Sequence, residues 1–335
     1  MKHSALAIFA FMLLLITGCA SQQPSQPDWI AGDSALYKSP LYLIGRGQAA
    51  TQEEAKDRAR ADLSKIFQVS VAAESEDIQQ FKSAGGAPGQ YESQSSRRIT
   101  THTSQIISGI EIAELWQDPA TKNYHALAIL PRLQTAASLR QQISQLDEAT
   151  GNHIEQSRKN TDLFLKISAA SQAVESQQER DALQKSLQVV DPAGRGTDSQ
   201  WNIAKLNSDL DGLLKRVRIT SQASAESITG LSEVVAGALA KAGFMIETGQ
   251  NPDFVLRAQL NLSDLGFQEG WYWQRGVLDV ALSEKATGRV RGTKRWTIKS
   301  NAPDRASAVK RALNQVDAAL KQELRGAIID MATNR

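Results

Sequence analysis

The sequence predicts an α+β protein of two domains, each an antiparallel sheet with helices on one face, joined by a helical hairpin segment. Three observations lead there. Period-two apolar runs near both ends of the chain succeed one another without intervening helices, which argues for hairpins over parallel crossovers. Each set of runs is accompanied by apolar stripes of helical period. Between the two sets, from Arg132 to about Val190, the pattern is helical almost throughout.

The chain opens with Lys2 and His3, an apolar stretch from Ala5 to Ile16, and Ile16-Thr17-Gly18-Cys19. An apolar core of about a dozen residues is too short for a permanent span and suits an export signal. A small residue directly ahead of a cysteine fits cleavage by a lipoprotein signal peptidase, so residues 1–18 are expected to be removed and Cys19 to carry acyl chains. The alternative is an ordinary signal with an incidental cysteine. Cys19 is the only cysteine among 335 residues, which precludes a disulfide within the chain. Two or three acyl chains hold a protein stably, because each buried methylene contributes about 0.8 kcal/mol. Ala20, where an aspartate would direct retention, favours the outer membrane with the body facing the periplasm.

Residues 19–27 form the lipidated cysteine and a polar, proline-bearing tether, SQQPSQP from Ser21 to Pro27. The first domain is expected over 28–132. Its run YLIGRGQAA reads as strand, a glycine turn at Gly45-Arg46-Gly47, then a helix of about four turns with a capping box at Thr51 and Glu54. Ala55, Ala59, Leu63 and Ile66 mark that helix's apolar face. The period then changes to two, with Phe67, Val69, Val71 and Ala73 on one face, which predicts a half-buried strand. A Gly/Pro loop from Ala84 to Gly89 and a β-prone run from Tyr91 to Ile107 follow. The strands IEIAELWQ and YHALAIL are joined by a turn at Asp118-Pro119 and Asn123.

The segment 133–214 is read as hairpin and connector. Leu139, Ile143 and Leu146 mark one helix and Leu163, Ile167, Ala170 and Val174 the next, with a break at Gly151-Asn152. A second break, DPAGRG from Asp191 to Gly196, precedes a helical stretch holding Trp201, Leu210 and Leu213. The last domain, 215–335, begins with the strand VRIT. A helix through Ile228, Leu231, Val235 and Leu239 then closes at Gly243. Strands follow at FMIET, Phe254 to Leu262, Leu278 to Leu282, and Val290 to Ile298. Asn301 and Pro303 open a terminal helix with a stripe of Ala306, Val309, Leu313, Val316, Leu320, Leu324 and Ile328.

Lys and Arg total 38 against 36 Asp and Glu, a formal charge of +2, which disfavours a nucleic-acid binder. Enzyme motifs are absent from the pattern. His102, His125 and His153 form no pair at metal-ligand spacing, so neither a metal nor a cofactor is expected. Glu111 and Glu114 flank a strand whose alternation would put them on opposite faces, a poor acid/base pair. The Gly-x-Gly-x-x-Ala spacing from Gly45 to Ala50 resembles a dinucleotide turn, and Glu74 and Glu76 lie at the distance of a ribose acid. Against it stand export, the repulsion of a pyrophosphate by Glu53 and Glu54, and the hairpin pairing of the next strands.

Two features are candidates for contact. Arg289, Arg291, Arg295 and Lys299 share one parity of a strand, opposite Val290, Trp296 and Ile298, which makes a basic stripe for an anionic glycan, headgroup or acidic partner, or else a solvated guard against edge pairing. The connection from Gly266 to Trp273 carries Phe267, Trp271, Tyr272 and Trp273, either an exposed anchor or sugar platform, or rings folded back over the core.

Pro27-Asp28-Trp29, YLIGRGQA with an Ala- and Arg-rich helix after it, FQVSV, and IEIAELWQD followed by YHALAILPR together resemble the LPP-twenty family of bacterial lipoproteins. The resemblance covers roughly Pro27 to Arg132 and implies an extracytoplasmic, membrane-anchored module without known catalytic residues. Related domains in flagellar ring proteins make envelope assembly the analogy. The expected function is therefore a lipid-anchored, non-catalytic envelope lipoprotein docking another envelope protein or peptidoglycan; a glycan-binding module or a glycan-acting enzyme is the alternative.

Overall fold

The computed structural model describes residues 26–82, 106, 109–225, 228–247, 249 and 251–333. The signal segment, Cys19, the loop at Ala84 to Gly89, His102 and nearly all of the expected strand from Tyr91 to Ile107 lie outside the described residues. The chain divides into two compact units, Met1–Leu139 with Gln184–Gly196 and Arg140–Leu183 with Thr197–Arg335.

The first unit contains α1 (Asp28–Ala31), β1 (Tyr42–Ala49), α2 (Gln52–Lys82), β2 (Glu111–Gln117) and β3 (Tyr124–Pro131). Its antiparallel sheet has the order β1-β3-β2. The β2–β3 turn is organised by Asp118, whose carboxylate accepts from Ala120 N at 2.8 Å and Thr121 Oγ1 at 2.7 Å. Those bonds, the hydroxyl's first, hold its pKa below the ordinary carboxylate value.

Gly45 and Gly47 do not form a turn. They lie inside β1, paired with Ala128 and Ala126 of β3. A Cβ at Gly45 would stand 2.5 Å from Leu63 N and 2.6 Å from Ala59 O, and one at Gly47 would collide with Ala55 O. The glycines thus let α2 lie directly on strand backbone, a close approach that no side chain permits. The expected strand at Phe67 to Ala73 is also helix, because α2 continues to Lys82. Ala55, Ala59, Leu63, Phe67 and Val71 are all buried at intervals of four, whereas Val69 is 60% exposed and Ile66 42%. A spacing of four fits both a helical stripe and every second residue of a strand, and packing on the sheet decides for the helix.

The opposite face of this sheet is covered by the segment after Pro27. Trp29 is buried with Leu127 and Ile129, and its indole N–H donates to Glu114 Oε2 at 2.6 Å. Arg46, between the two glycines, reaches this side and donates to Trp29 O at 2.6 Å and Gly32 O at 2.5 Å. A bulge between Ile112 and Glu114 pairs Glu111 with Ile129 and Glu114 with Leu127. The two glutamates consequently share a face, contrary to simple alternation.

Helices α3 (Arg132–Lys159) and α4 (Leu163–Val190) form the hairpin. The break expected at Gly151-Asn152 is absent: α3 runs through both residues, and the chain reverses at 160–162, where Asp162 Oδ1 accepts from Leu165 N at 3.0 Å. One helical glycine costs only about 1 kcal/mol, less than long-range packing supplies. Arg132 donates to the carbonyls of Val189 and Val190 at 3.1 Å each, closing the end of α4. In the second unit, buried Arg180 pairs with Asp147 at 3.0 Å and donates to Asp198 O at 2.7 Å.

The second unit continues with α5 (Ile203–Leu214), β4 (Arg218–Ala225), α6 (Leu231–Ala242), β5 (Met245–Ile246), β6 (Phe254–Gln268), β7 (Trp271–Glu284), β8 (Val290–Ala302) and α7 (Arg305–Thr333). The sheet order is β5-β4-β6-β7-β8. An antiparallel β6-β7-β8 meander is extended by β4, which runs parallel to both β6 and β5. Helices α6 and α7 cover one face, burying Val235, Leu239, Val316, Leu320 and Leu324 against Leu256, Leu260, Leu278 and Val280. Gly243, at φ 91°, caps α6 as expected. The α7 stripe departs from the sequence reading at its start, where Ala308 and Ala312 are buried and Ala306 is exposed, while Leu313 packs half-buried against the core as expected. Asp304, after Pro303, caps this helix by accepting from Ser307 N at 2.9 Å.

Candidate docking surface

Strands β6 and β7 run on together past the core, to a turn where Glu269 and Gly270 both have positive φ, 52° and 83°. That is the geometry a two-residue hairpin needs to match strand twist. Strand β7 has no bulge against β8 from Tyr272 to Leu282, so its residues alternate strictly. Leu278, Val280 and Leu282 face the helices and are fully buried. The odd positions Trp271, Trp273, Arg275, Val277, Asp279 and Ala281 therefore share the other, uncovered face.

This parity divides the aromatic quartet. Trp271, 40% exposed, and Trp273 lie on the uncovered face, with Lys299 Nζ 4.9 Å from the Trp273 ring centre. Phe267 and Tyr272 are a cross-strand pair on the other side, with ring centres 5.0 Å apart. Arg305 stands 5.4 Å from the Tyr272 ring and pairs with Asp264 at 3.0 Å. Phe267 at 61% and Trp271 at 40% are exposed and do not fold back over the core, while Tyr272 and Trp273 are half-buried.

The basic stripe is also rearranged. A register shift pairs Leu282 with Gly292 but Ser283 with Val290, leaving Arg291 as the extra residue of a bulge. Val290 thereby moves to the solvent side, 52% exposed, while Trp296 and Ile298 stay buried. Arg291 leaves the stripe to pair with Glu284 at 2.6 Å and approaches Asp162 at 3.8 Å. Glu284 has a lowered pKa, through the Thr287 hydroxyl bond first and then the Arg291 charge. Arg289 precedes the strand in its turn. Of the four predicted cations, Arg295 and Lys299 lie on the open face.

Cross-strand register adds members that the sequence reading overlooked. Ser224, Gln259, Asp279 and Arg295 form one row, and Gln222, Arg257, Ala281 and Thr293 the next. Arg275 stands opposite both Ser263 and Lys299. Arg295 binds Asp279 at 2.7 Å, and Arg257 donates to Gln222 at 3.2 Å. Four cations, Arg257, Arg275, Arg295 and Lys299, thus face one carboxylate across β6–β8. Around Ala281 the face sinks into an open depression of about 490 Å³ rimmed by Gln222, Arg257, Asp279 and Arg295. The missing signal was available: Arg275 and Asp279 share the odd parity of the tryptophans.

Elsewhere, His125 packs against Trp116 with ring centres 5.4 Å apart, and Glu114 is occupied by Trp29. Among the described residues no group of three or more His, Cys, Asp or Glu side chains is arranged to hold a metal, and no helix is long and apolar enough to cross a membrane.

Residues 27–130 match the LPP20 lipoprotein family. No curated protein matches the chain. Among solved structures, a secreted protein of Helicobacter pylori aligns at 12% identity over 84% of this chain and 97% of its own, with a TM-score of 0.39. The minor lipoprotein of Acinetobacter baumannii aligns at 12% identity over 36% of this chain and 92% of its own, TM-score 0.25. Rare lipoprotein B of Shewanella oneidensis aligns at 18% over 35% and 95%, TM-score 0.22.

Proposed function

We propose that this chain is a lipid-anchored, non-catalytic lipoprotein of the bacterial cell envelope that docks a partner through the open face of its second sheet. The LPP20 match of residues 27–130 supports the lipoprotein reading, and the cysteine at position 19, behind an apolar segment, supplies the acylation point. Acylation at Cys19 and the alanine after it favour the outer membrane, with the folded body in the periplasm. The observation that carries the docking reading is the uncovered sheet face, on which Trp271, Trp273 and four cations converge while the opposite face is sealed by helices.

Anchoring confines the body near the membrane and raises its effective concentration towards other envelope components. A face fixed on a rigid sheet then needs no reorganisation to bind, which lowers the entropic cost of capture. The non-catalytic reading has support in the engagement of two carboxylates, since Asp279 is ion-paired with Arg295 and Glu114 accepts a hydrogen bond from the Trp29 indole.

In-cell crosslinking from a photoreactive residue at exposed position 263, opposite Arg275 on the open face, followed by mass spectrometry tests the docking. A crosslinked envelope component that disappears in the Trp271→Ala/Trp273→Ala double variant is expected, and capture that persists in that variant would remove the face from the reading.

A further inference from the structure

We propose that the open face binds a cell-wall glycan, an N-acetylated saccharide chain bearing carboxylates. The inference rests on the docking reading above and names the chemistry of its ligand. From Trp271 to Ala281 the track along β7 spans ten residue steps, about 33 Å at the usual strand rise. That length suits an extended polymer rather than a small molecule.

The groups along the track divide into three kinds, each with a counterpart in such a polymer. At one end exposed Trp271 offers its indole to the C–H faces of sugar rings, beside the Trp273 ring that Lys299 approaches. In the middle Gln259, Asn261 and Thr297, and at the Ala281 end Thr293, present amides and hydroxyls that both donate and accept, as sugar hydroxyls and acetamido groups require. The surplus of three positive charges complements carboxylates, with Arg257 and Arg295 at the rim of the Ala281 depression, whose volume lies in the range of small-ligand sites.

The same features disfavour the other occupants. A bilayer surface calls for contiguous apolar side chains, and only the tryptophan end supplies them. A protein partner calls for an apolar centre to its interface, whereas this centre holds Asn261, Gln259 and the Arg295–Asp279 pair.

The test is co-sedimentation of the purified full chain, in detergent, with peptidoglycan sacculi. The wild type is expected in the pellet, with at least tenfold weaker binding in the Trp271→Ala/Trp273→Ala and Arg257→Gln/Arg295→Gln double variants. Thr293→Glu, an exposed change that touches no core residue, is expected to weaken binding too and serves if the others unfold. Muropeptides with free carboxylates should compete better than N-acetylglucosamine oligomers, which lack them. A wild type that stays in the supernatant, or folded variants that pellet equally well, would overturn the inference. Failure to bind sacculi together with a position-263 crosslink to an envelope protein overturns the glycan and leaves the docking reading standing; loss of both removes the two together.

Discussion

A methyl group at position 47 would meet the carbonyl of Ala55 and the amide of Ala59, both backbone atoms that cannot swing aside. Gly47→Ala is therefore expected to destabilise the first unit by about 3 kcal/mol, at the upper end of ordinary overpacking. Gly212→Ala is the control, because nothing lies within 4 Å of a Cβ there and the residue is exposed in α5. That substitution should stabilise by about 0.5–1 kcal/mol through helix propensity. Urea unfolding of both variants separates steric from conformational effects. Asp147→Ala tests a different residue-scale dependence, since it strands the Arg180 guanidinium, whose side chain is only 5% exposed. Uncompensated burial of that charge should cost about 3 kcal/mol, whereas replacing both partners with apolar residues should cost far less.

At the scale of elements, two carboxylates tie segment ends together, and both have pKa values held below the ordinary range. Asp253 joins the start of β4 to the entry of β6 through Arg218 at 2.7 Å, and that side-chain bond is the main cause of its shift. Asp304 caps α7, and bonds from Ser307, backbone first, lower its value. A carboxyl depressed in the folded state contributes stability above its unfolded pKa of about 3.9 and loses that contribution as the pH falls through the folded value. Unfolding midpoints are expected to be level from about pH 7 to pH 5 and to drop below about pH 4. Asp304→Asn keeps a capping oxygen without the titration and should flatten part of that fall. Asn202, which caps α5 by accepting from Lys205 N at 3.0 Å, offers a neutral comparison. Asn202→Ala should cost about 1 kcal/mol at every pH.

For the whole molecule the prediction concerns location. Cys19→Ser removes the proposed acylation point, and cell fractionation is expected to find the protein in the soluble fraction and not at the membrane. A normally processed, membrane-bound Cys19→Ser protein would remove the anchoring reading. The proposed anchor at Cys19 and the open sheet face lie on different parts of the sequence, so the same variant, once purified, should still bind whatever the face recognises.

The sequence by itself determined most of the elements of the second unit. Its apolar periods required α6, the β6-β7-β8 meander and a terminal helix, because a stripe or a parity can be buried only one way in a two-layer domain. The α+β class and the LPP20 resemblance of the first domain followed from that local order. Tertiary structure decided what a local period leaves ambiguous. Phe67 and Val71 are four residues apart, a spacing that strand and helix share; in the fold both are buried on the helix whose earlier turns, Ala55 to Leu63, rest on the bare backbone of Gly45 and Gly47. The bulges at Ala113 and Arg291 insert one residue against a partner strand, which reverses every parity beyond them and cannot be read from one strand alone. They bring Glu111 and Glu114 to one face and remove Arg291 from the basic stripe. Cross-strand register likewise separated the tryptophans from Phe267 and Tyr272 and set them on one face with Arg275 and Asp279. Register is a relation between strands, fixed by the burial of the opposite face against α6 and α7.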